Sequence, residues 1–327
     1  MPVPAPSILP YGEAALAEAA RLVVAGEPVA VPTETVYGLA ADAARADAVA
    51  RIYAAKGRPS FNPLIVHVPD LAAAERLAMF DADAHALALA FWPGPLTLVL
   101  PLREGAGVAS LVTAGLPTVA IRVPAHRAMR ALLEATDRPL AAPSANRSGH
   151  ISPTRAEHVA ASLGAAVPLI LDDGPTEAGL ESTIVAGRAI LRPGPITAAM
   201  VDGSLRSRAG GSPERRESYV ALGSRLRGST EGDVTAPGQL LSHYAPSKPV
   251  RLNATTPAPD EWHIGFGPVA GDQNLSARSN LVEAAARLFD ALHRADAGGK
   301  PRIAVAPIPG HGIGEAINDR LNRAAHR

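Results

Sequence analysis

Between residues 140 and 154 the chain changes character twice, and this double change constrains the fold more than any other stretch. Leu140-Ala141-Ala142 reads as the end of a buried strand. Pro143 breaks it, and small polar residues follow: Ser144, Asn146, Ser148, Gly149 and Ser152. After Pro153 a helical pattern resumes, with Ala156, Val159, Ala160 and Leu163 along one face. Strand, polar loop and helix in succession form the unit of an α/β sheet, where ligands bind beyond the carboxyl ends of the strands. Standing alone, the loop reads equally well as a surface turn. It does not stand alone, because the preceding half of the chain repeats the pattern.

Residues 13–25 are spaced as an amphipathic helix that stops at Gly26. A short strand, 28–32, runs into Thr33-Glu34-Thr35. Residues 46–56 are helical up to Gly57, and Lys56 and Arg58 then flank that glycine in a proline-bounded loop containing Asn62. Strand 64–68 carries His67 near its end. Helical patterns at 71–79 and 82–92 lead through Pro93-Gly94-Pro95 into strand 96–100. Strand 118–124 holds Arg122 inside an apolar run, which is costly unless the charge is paired or faces a cavity. A helix at 125–135, a strand at 169–171 and adjacent strands at 181–185 and 189–194 complete an irregular alternation. It predicts an α/β domain with a twisted mixed sheet and flanking helices, ending at residue 202.

Residues 203–249 differ. They are rich in Gly, Ser, Arg and Pro, and between 204 and 231 six arginines face three glutamates. That composition predicts a linker. Its end, Ser242-His243-Tyr244-Ala245-Pro246, is more ordered in character. From 250 to 327 short strands at 250–252, 263–266 and 303–306 alternate with helices at 281–292 and 315–325, predicting a small C-terminal α/β domain.

With 47% apolar but only 4% aromatic residues, the cores must be built from Ala, Val, Leu and Ile. Lys plus Arg equals Asp plus Glu at 31 each, so net charge points to neither nucleic acid nor membrane. Lysine occurs only at 56, 248 and 300. The absence of Cys excludes disulfides, thiolate nucleophiles and Cys-ligated zinc. Residues 1–10 lack a signal-peptide pattern and no apolar run could span a bilayer, so a cytoplasmic protein is expected.

Polar groups gather at the predicted strand ends: Thr35, Lys56, Arg58, Asn62, His67, Arg122, Ser144, Asn146, Ser152, Ser182 and Arg192. If they converge, they form a basic cavity suited to a nucleotide and a carboxylate. The competing reading scatters them over the surface, with Arg122 satisfied by an internal acid. There is no GxxxxGK[ST], GxSxG or HExxH. Gly310-His311-Gly312 reads as a tight turn, and Asp172-Asp173 as an acidic turn.

Several motifs together resemble the threonylcarbamoyl-AMP synthase family: residues 32–39 (PTETVYGL), 56–63 (KGRPSFNP), 92–97 (WPGPLT), 142–146 (APSAN), 181–184 (ESTI) and 192–194 (RPG). The tail pieces 242–246 (SHYAP) and 316–321 (AINDRL) are similar to its two-domain long form. The resemblance implies a YrdC-like catalytic domain around an open basic cavity and a small Rossmann-like C-terminal domain. It implies that L-threonine, bicarbonate and ATP give threonylcarbamoyl-adenylate and pyrophosphate, a nucleotidyltransferase reaction. The product would feed the tRNA threonylcarbamoyl-transferase machinery that makes N6-threonylcarbamoyladenosine. By the same resemblance Thr35, His67, Arg122, Ala142 and Ser182 hold threonine. Lys56, Arg58, Asn62, Thr118, Ser144, Asn146, Ser152, Arg192 and Tyr244 hold ATP, with Lys56 and Arg58 as catalytic cations. Mg²⁺ is expected with ATP, without identified protein ligands. Residues 236–246 are expected to fold over the cavity, placing Tyr244 near the phosphates. Two alternatives stay open at this stage. One is a module that grips double-stranded RNA or tRNA without chemistry. The other is the related domain of hydrogenase maturation, whose larger host carries Cys-rich zinc motifs that this chain lacks.

Overall fold

The computed structural model describes residues 6–208 and 243–326. Strand β1 (Ser7–Pro10) and helix α1 (Glu13–Ala25) precede a hairpin of β2 (Val29–Pro32) and β3 (Tyr37–Asp42). Helix α1 stops where Gly26 takes a left-handed φ of 93°, letting its N–H reach the Leu22 and Val23 carbonyls. Then come α2 (Ala46–Lys56), β4 (Ile65–His67), α3 (Leu71–Leu77), α4 (Ala82–Phe91), β5 (Leu96–Pro101), α5 (Ser110–Thr113) and β6 (Thr118–Arg122). Helix α6 (Arg127–Thr136) and strand β7 (Leu140–Ala141) lead to α7 (Ala156–Leu163). Strands β8 (Leu169–Asp172), β9 (Thr183–Ala186) and β10 (Ala189–Arg192) and helix α8 (Ala198–Arg208) follow.

The strands form one ten-stranded mixed sheet, ordered β1-β8-β2-β3-β7-β4-β6-β5-β9-β10. Every residue of β2, β3 and β4 is buried, which explains why β2 and β4 read as continuous apolar runs rather than alternating ones. Helices α2, α3 and α4 cover one side through Ile52, Ala74 and Leu87. Helices α1 and α6 cover the other through Ala19, Val23, Met129 and Leu132. Both cores are mainly aliphatic, with Tyr37 and Tyr53 as the buried aromatic residues of the first.

Beyond β3 and α5, which the sequence reading did not include, two features of this unit depart from it. Strand β1 was not anticipated, because it is an edge strand whose residues are mostly exposed and carry no apolar pattern. Helix α8 runs on through Arg208, six residues into the stretch read as linker. Residues 209–242, with most of the arginine-rich segment and the first part of the expected lid, lie outside the described residues.

The second unit contains β11 (Val250–Arg251), β12 (Glu261–Gly265), β13 (Gln273–Asn274), α9 (Leu281–Ala297), β14 (Arg302–Val305) and α10 (Ile313–Ala325). Its four strands pair in parallel, ordered β11-β14-β12-β13. Asn280 caps α9 by accepting the Val282 and Glu283 N–H groups. Among the described residues no helix is long and apolar enough to cross a membrane.

The two units meet along a tight seam. Gly179 has φ +67°, and a Cβ there would lie 2.5 Å from Ala286 Cα, so only glycine allows this approach. Val36, Ile151 and Leu180 join Tyr244, Phe289 and Leu292 in one buried apolar cluster. Arg155 Nε donates to Asp290 Oδ1 at 2.9 Å. His158 on α7 stacks on His293 of α9, with ring centroids 3.8 Å apart and planes 19° off parallel. His293 Nε2 lies 3.1 Å from the Ser152 carbonyl.

Burial, and then the proximity of His293, push the His158 pKa down to about 3, and burial also lowers His293. Both rings are neutral in the folded seam, whereas an unfolded chain protonates them below about 6.5. Their contribution is therefore full above pH 6.5 and is lost as pH falls toward the folded value. For His158 that loss should amount to about 1.4 kcal/mol per pH unit across that window. Denaturant unfolding at pH 7.5, 5.5 and 4.5 should show a shallower loss in His158→Gln than in the natural chain. Identical slopes would refute the assignment.

Candidate active site

The sheet opens onto a partly open cavity enclosing about 560 Å³ of space, some of it continuous with solvent. The β2–β3 turn supplies Thr33, Thr35 and Val36. The ends of β4 and β6 supply His67 and Arg122, which are partners in register. The chain after β7 supplies Ala142, Pro143 and Ser144, while Ser182 precedes β9 and Arg192 ends β10. The turn holds itself. Thr33 Oγ1 donates to the Val36 carbonyl at 2.7 Å and lies 2.8 Å from Thr35 Oγ1. Thr35 Oγ1 in turn accepts from Arg122 Nη1 at 2.9 Å.

Arg122 is only 4% exposed. Its Nη2 lies 2.7 Å from Glu34 Oε1. The two atoms are not aligned as a hydrogen bond, and neither has another partner. The other Glu34 oxygen accepts the N–H groups of Ala125 and His126, just before α6, at 3.1 and 3.3 Å. Burial is the largest single effect and raises the Glu34 pKa, but the pairing with Arg122 and the backbone N–H groups that Glu34 accepts together outweigh it, and the net shift is downward. The cation inside the strand is thus both paired with an internal acid and exposed to the cavity; the two readings of Arg122 are not exclusive. Beside it, burial and then the Arg122 charge push His67 down to about 3, so its imidazole is neutral, with Nδ1 unpartnered.

On the far wall Arg192 grips Ser182. Its Nη2 donates to the Ser182 carbonyl at 2.9 Å and to Oγ at 3.1 Å. Ser182 Oγ also lies 2.7 Å from Thr97 Oγ1. Glu181 carries the site into the seam. Oε1 accepts from Ser152 Oγ, and Oε2 accepts from Arg320 Nε of α10 at 2.9 Å. Arg320 is fully buried, and its guanidinium carbon lies 5.2 Å from the centre of the Tyr244 ring. Tyr244 takes a left-handed φ of 64°, a conformation an aromatic residue keeps only when its surroundings impose it. Phe289 at 5.5 Å and the Ala245 N–H bond to the Gly149 carbonyl at 2.8 Å hold it there. Its hydroxyl is buried without a partner.

Nine of the residues named from the sequence reach the wall: Thr35, Arg58, His67, Arg122, Ala142, Ser144, Ser182, Arg192 and Tyr244. Lys56, Asn62, Thr118, Asn146 and Ser152 do not. Lys56 is 3% exposed, and its ammonium donates to the Ser144 and Asn146 carbonyls, which fixes the loop after β7. Burial, then the Arg58 charge, lower its pKa well below the usual lysine value. Asn62 Oδ1 accepts from Arg58 Nη2 at 2.7 Å and so orients that arginine. Asn146 Nδ2 donates to the Arg147 and His150 carbonyls. Thr118 stands at the opposite end of β6 from Arg122. Ser152 is buried against Glu181. The wall also holds Thr33, Val36, Gly38, Ile65, Pro143, Glu181 and His243, absent from the sequence-derived set. Most of them adjoin a chosen residue, and adjacency was the available signal.

The cations face inward, around a cavity, as small-molecule recognition requires; a duplex-binding surface would present them outward. Fold and site together define a two-part α/β protein whose cationic cavity is completed at the seam between its parts. A family model described as "Telomere recombination", covering the Sua5, YciO and YrdC proteins, matches residues 21–194. A second, "Threonylcarbamoyl-AMP synthase, C-terminal domain", matches residues 213–326. The threonylcarbamoyl-AMP synthase of Bacillus subtilis is 39% identical over 95% of this chain and 92% of its own length. That of Pyrococcus abyssi is 36% identical over 94% and 93%. The crystal structure of P. abyssi Sua5 complexed with L-threonine superposes with a TM-score of 0.84, at 35% identity, over 98% of this chain and 97% of that one. The chain belongs to the threonylcarbamoyl-AMP synthase family.

Proposed function

We propose that the cavity joins L-threonine, bicarbonate and ATP into threonylcarbamoyl-AMP with release of pyrophosphate. The observation that carries this reading is the division of one cavity into two chemistries. Arg122, Thr35, neutral His67 and Ser182 suit the carboxylate, hydroxyl and amine of an amino acid. Arg58 and Arg192 suit phosphates. The threonine amine adds to the carbon of bicarbonate, water leaves, and a carbamate forms. A carbamate oxygen attacks the α-phosphorus as the bond to pyrophosphate breaks, which makes the enzyme a nucleotidyltransferase. No protein nucleophile is needed; the protein positions the reactants and offsets phosphate charge. A neutral His67 serves this better than a charged one, because it adds no repulsion toward the substrate ammonium.

Magnesium would neutralise phosphate charge when bound. Among the described residues no group of three or more acidic or imidazole side chains could hold the ion. It would rest mainly on the nucleotide, with Glu181 as the one carboxylate in the wall. Tyr244 and His243 close the cavity from the seam, which suits a hydrolysable mixed anhydride. The product would pass, in the cytoplasm, to a transferase acting on adenosine in tRNA.

Pyrophosphate release should be measured from ATP with each amino acid, in CO₂-depleted buffer and with added bicarbonate. Threonine plus bicarbonate should exceed either omission by at least about tenfold, the scale of discrimination expected of a selective pocket. Equal release without an amino acid would overturn the reading.

A further inference from the structure

We infer that Ile65, with Ala142 beside it, selects the substrate at its side-chain branch, accepting a methyl group and rejecting anything longer. The inference rests on the reading of the cavity as an amino-acid site and adds a residue to it. Side chains alternate along a strand, so Ile65 and His67 of β4 share one face. Their partners in register on β6 are Ala120 and Arg122. That face is split. Its His67–Arg122 half is polar. Its Ile65–Ala120 half belongs to a small separate cluster with Ile184, packed against Val99 and Leu191. Ile65 is the larger apolar side chain at this boundary, and it also lines the cavity.

The corner around it is braced by the backbone. The Ala142 N–H donates to the Ile65 carbonyl at 3.0 Å, so the two wall residues are locked side by side. A β-branched residue is stiff at χ1, and Ile184 at its back is itself fully buried. An amino acid whose carboxylate meets Arg122 and whose hydroxyl meets His67 turns its remaining β-substituent toward this corner. A hydrogen there, as in serine, leaves a gap. A methyl, as in threonine, fills it. An ethyl collides with a wall that does not yield.

The test compares kcat/KM for L-threonine, L-serine and the one-carbon-longer L-2-amino-3-hydroxypentanoate in the natural chain, Ile65→Val and Ile65→Ala. The natural chain should favour threonine over both by about tenfold or more, the usual worth of one methyl group in an apolar pocket. Ile65→Val should narrow the gap to the longer homologue. Ile65→Ala should narrow both gaps by about tenfold while leaving the KM for ATP unchanged. Calorimetric titration of the same three amino acids reads the pocket without turnover. If no amino acid supports pyrophosphate release yet affinities reorder as stated, the selector role stands and the reaction reading falls. If the ratios are unchanged in Ile65→Val and Ile65→Ala, by turnover and by binding, Ile65 is not the selector.

Discussion

Arg122→Ala should cut kcat/KM for L-threonine by roughly thirty- to several-thousand-fold, corresponding to the loss of about 2–5 kcal/mol that follows truncation of one partner in a buried charge pair. Two effects combine. The substrate carboxylate loses its cation, and Glu34 is left ionised in a buried position, with only the Ala125 and His126 N–H groups to hold it. The second effect concerns stability and can be separated from the first. In Glu34→Ala/Arg122→Ala no orphan carboxylate remains, so part of the lost stability should return while threonine affinity does not. Arg58→Ala should instead raise the KM for ATP with little change for threonine, because Arg58 sits away from the Glu34–Arg122–Thr35 cluster and is oriented by Asn62 and the Pro63 carbonyl. Steady-state kinetics with each substrate varied in turn decides the matter. If both single variants weakened the two ligands in equal proportion, the division of the cavity into amino-acid and phosphate halves would be wrong.

How much of this was legible in the sequence depends on where the information resides. Helices α1 and α9 and the continuous strands β2 and β4 were readable because burial writes itself directly into apolar spacing. Strand β1 was not, because an edge strand with exposed side chains carries no such signature. Arg122 was readable as special, since a charge within an apolar run must be paired or functional. That it is both could not be read, because Glu34 and Arg122 meet only through the fold. Lys56 illustrates the opposite case. A lysine beside glycine and arginine in a proline-bounded loop looks like a phosphate ligand; what the sequence could not tell is that its ammonium also donates to the Ser144 and Asn146 carbonyls, 88 and 90 residues away in the chain. Sequence names the polar groups; the folded chain decides which of several partners each one finds. Glu181 and Arg320, 139 residues apart, were beyond reach for the same reason.

That last pair predicts the largest effect on stability. Arg320→Ala should lower the unfolding free energy by about 3–5 kcal/mol, the usual cost of breaking a buried ion pair from one side. Arg320 is fully buried, donates to Glu181, pairs with Asp319 at 2.8 Å and lies over the Tyr244 ring. Without it Glu181 keeps only the Ser152 hydroxyl as a partner, and its charge stands in the cavity wall close to where phosphates would lie. Arg155→Ala is the internal control. Its pair with Asp290 crosses the same seam, but the arginine side chain is 39% exposed, so its loss should cost no more than about 1 kcal/mol. Denaturant unfolding of both variants at pH 7.5 tests the contrast. ATP affinity provides a second readout, because an uncompensated Glu181 repels phosphate whereas a merely loosened seam does not, and Glu181→Gln combined with Arg320→Ala should recover part of that affinity. Equal costs for the two single variants would mean that the seam is held by its apolar cluster alone, and that the charges crossing it do not couple the small domain to the cavity.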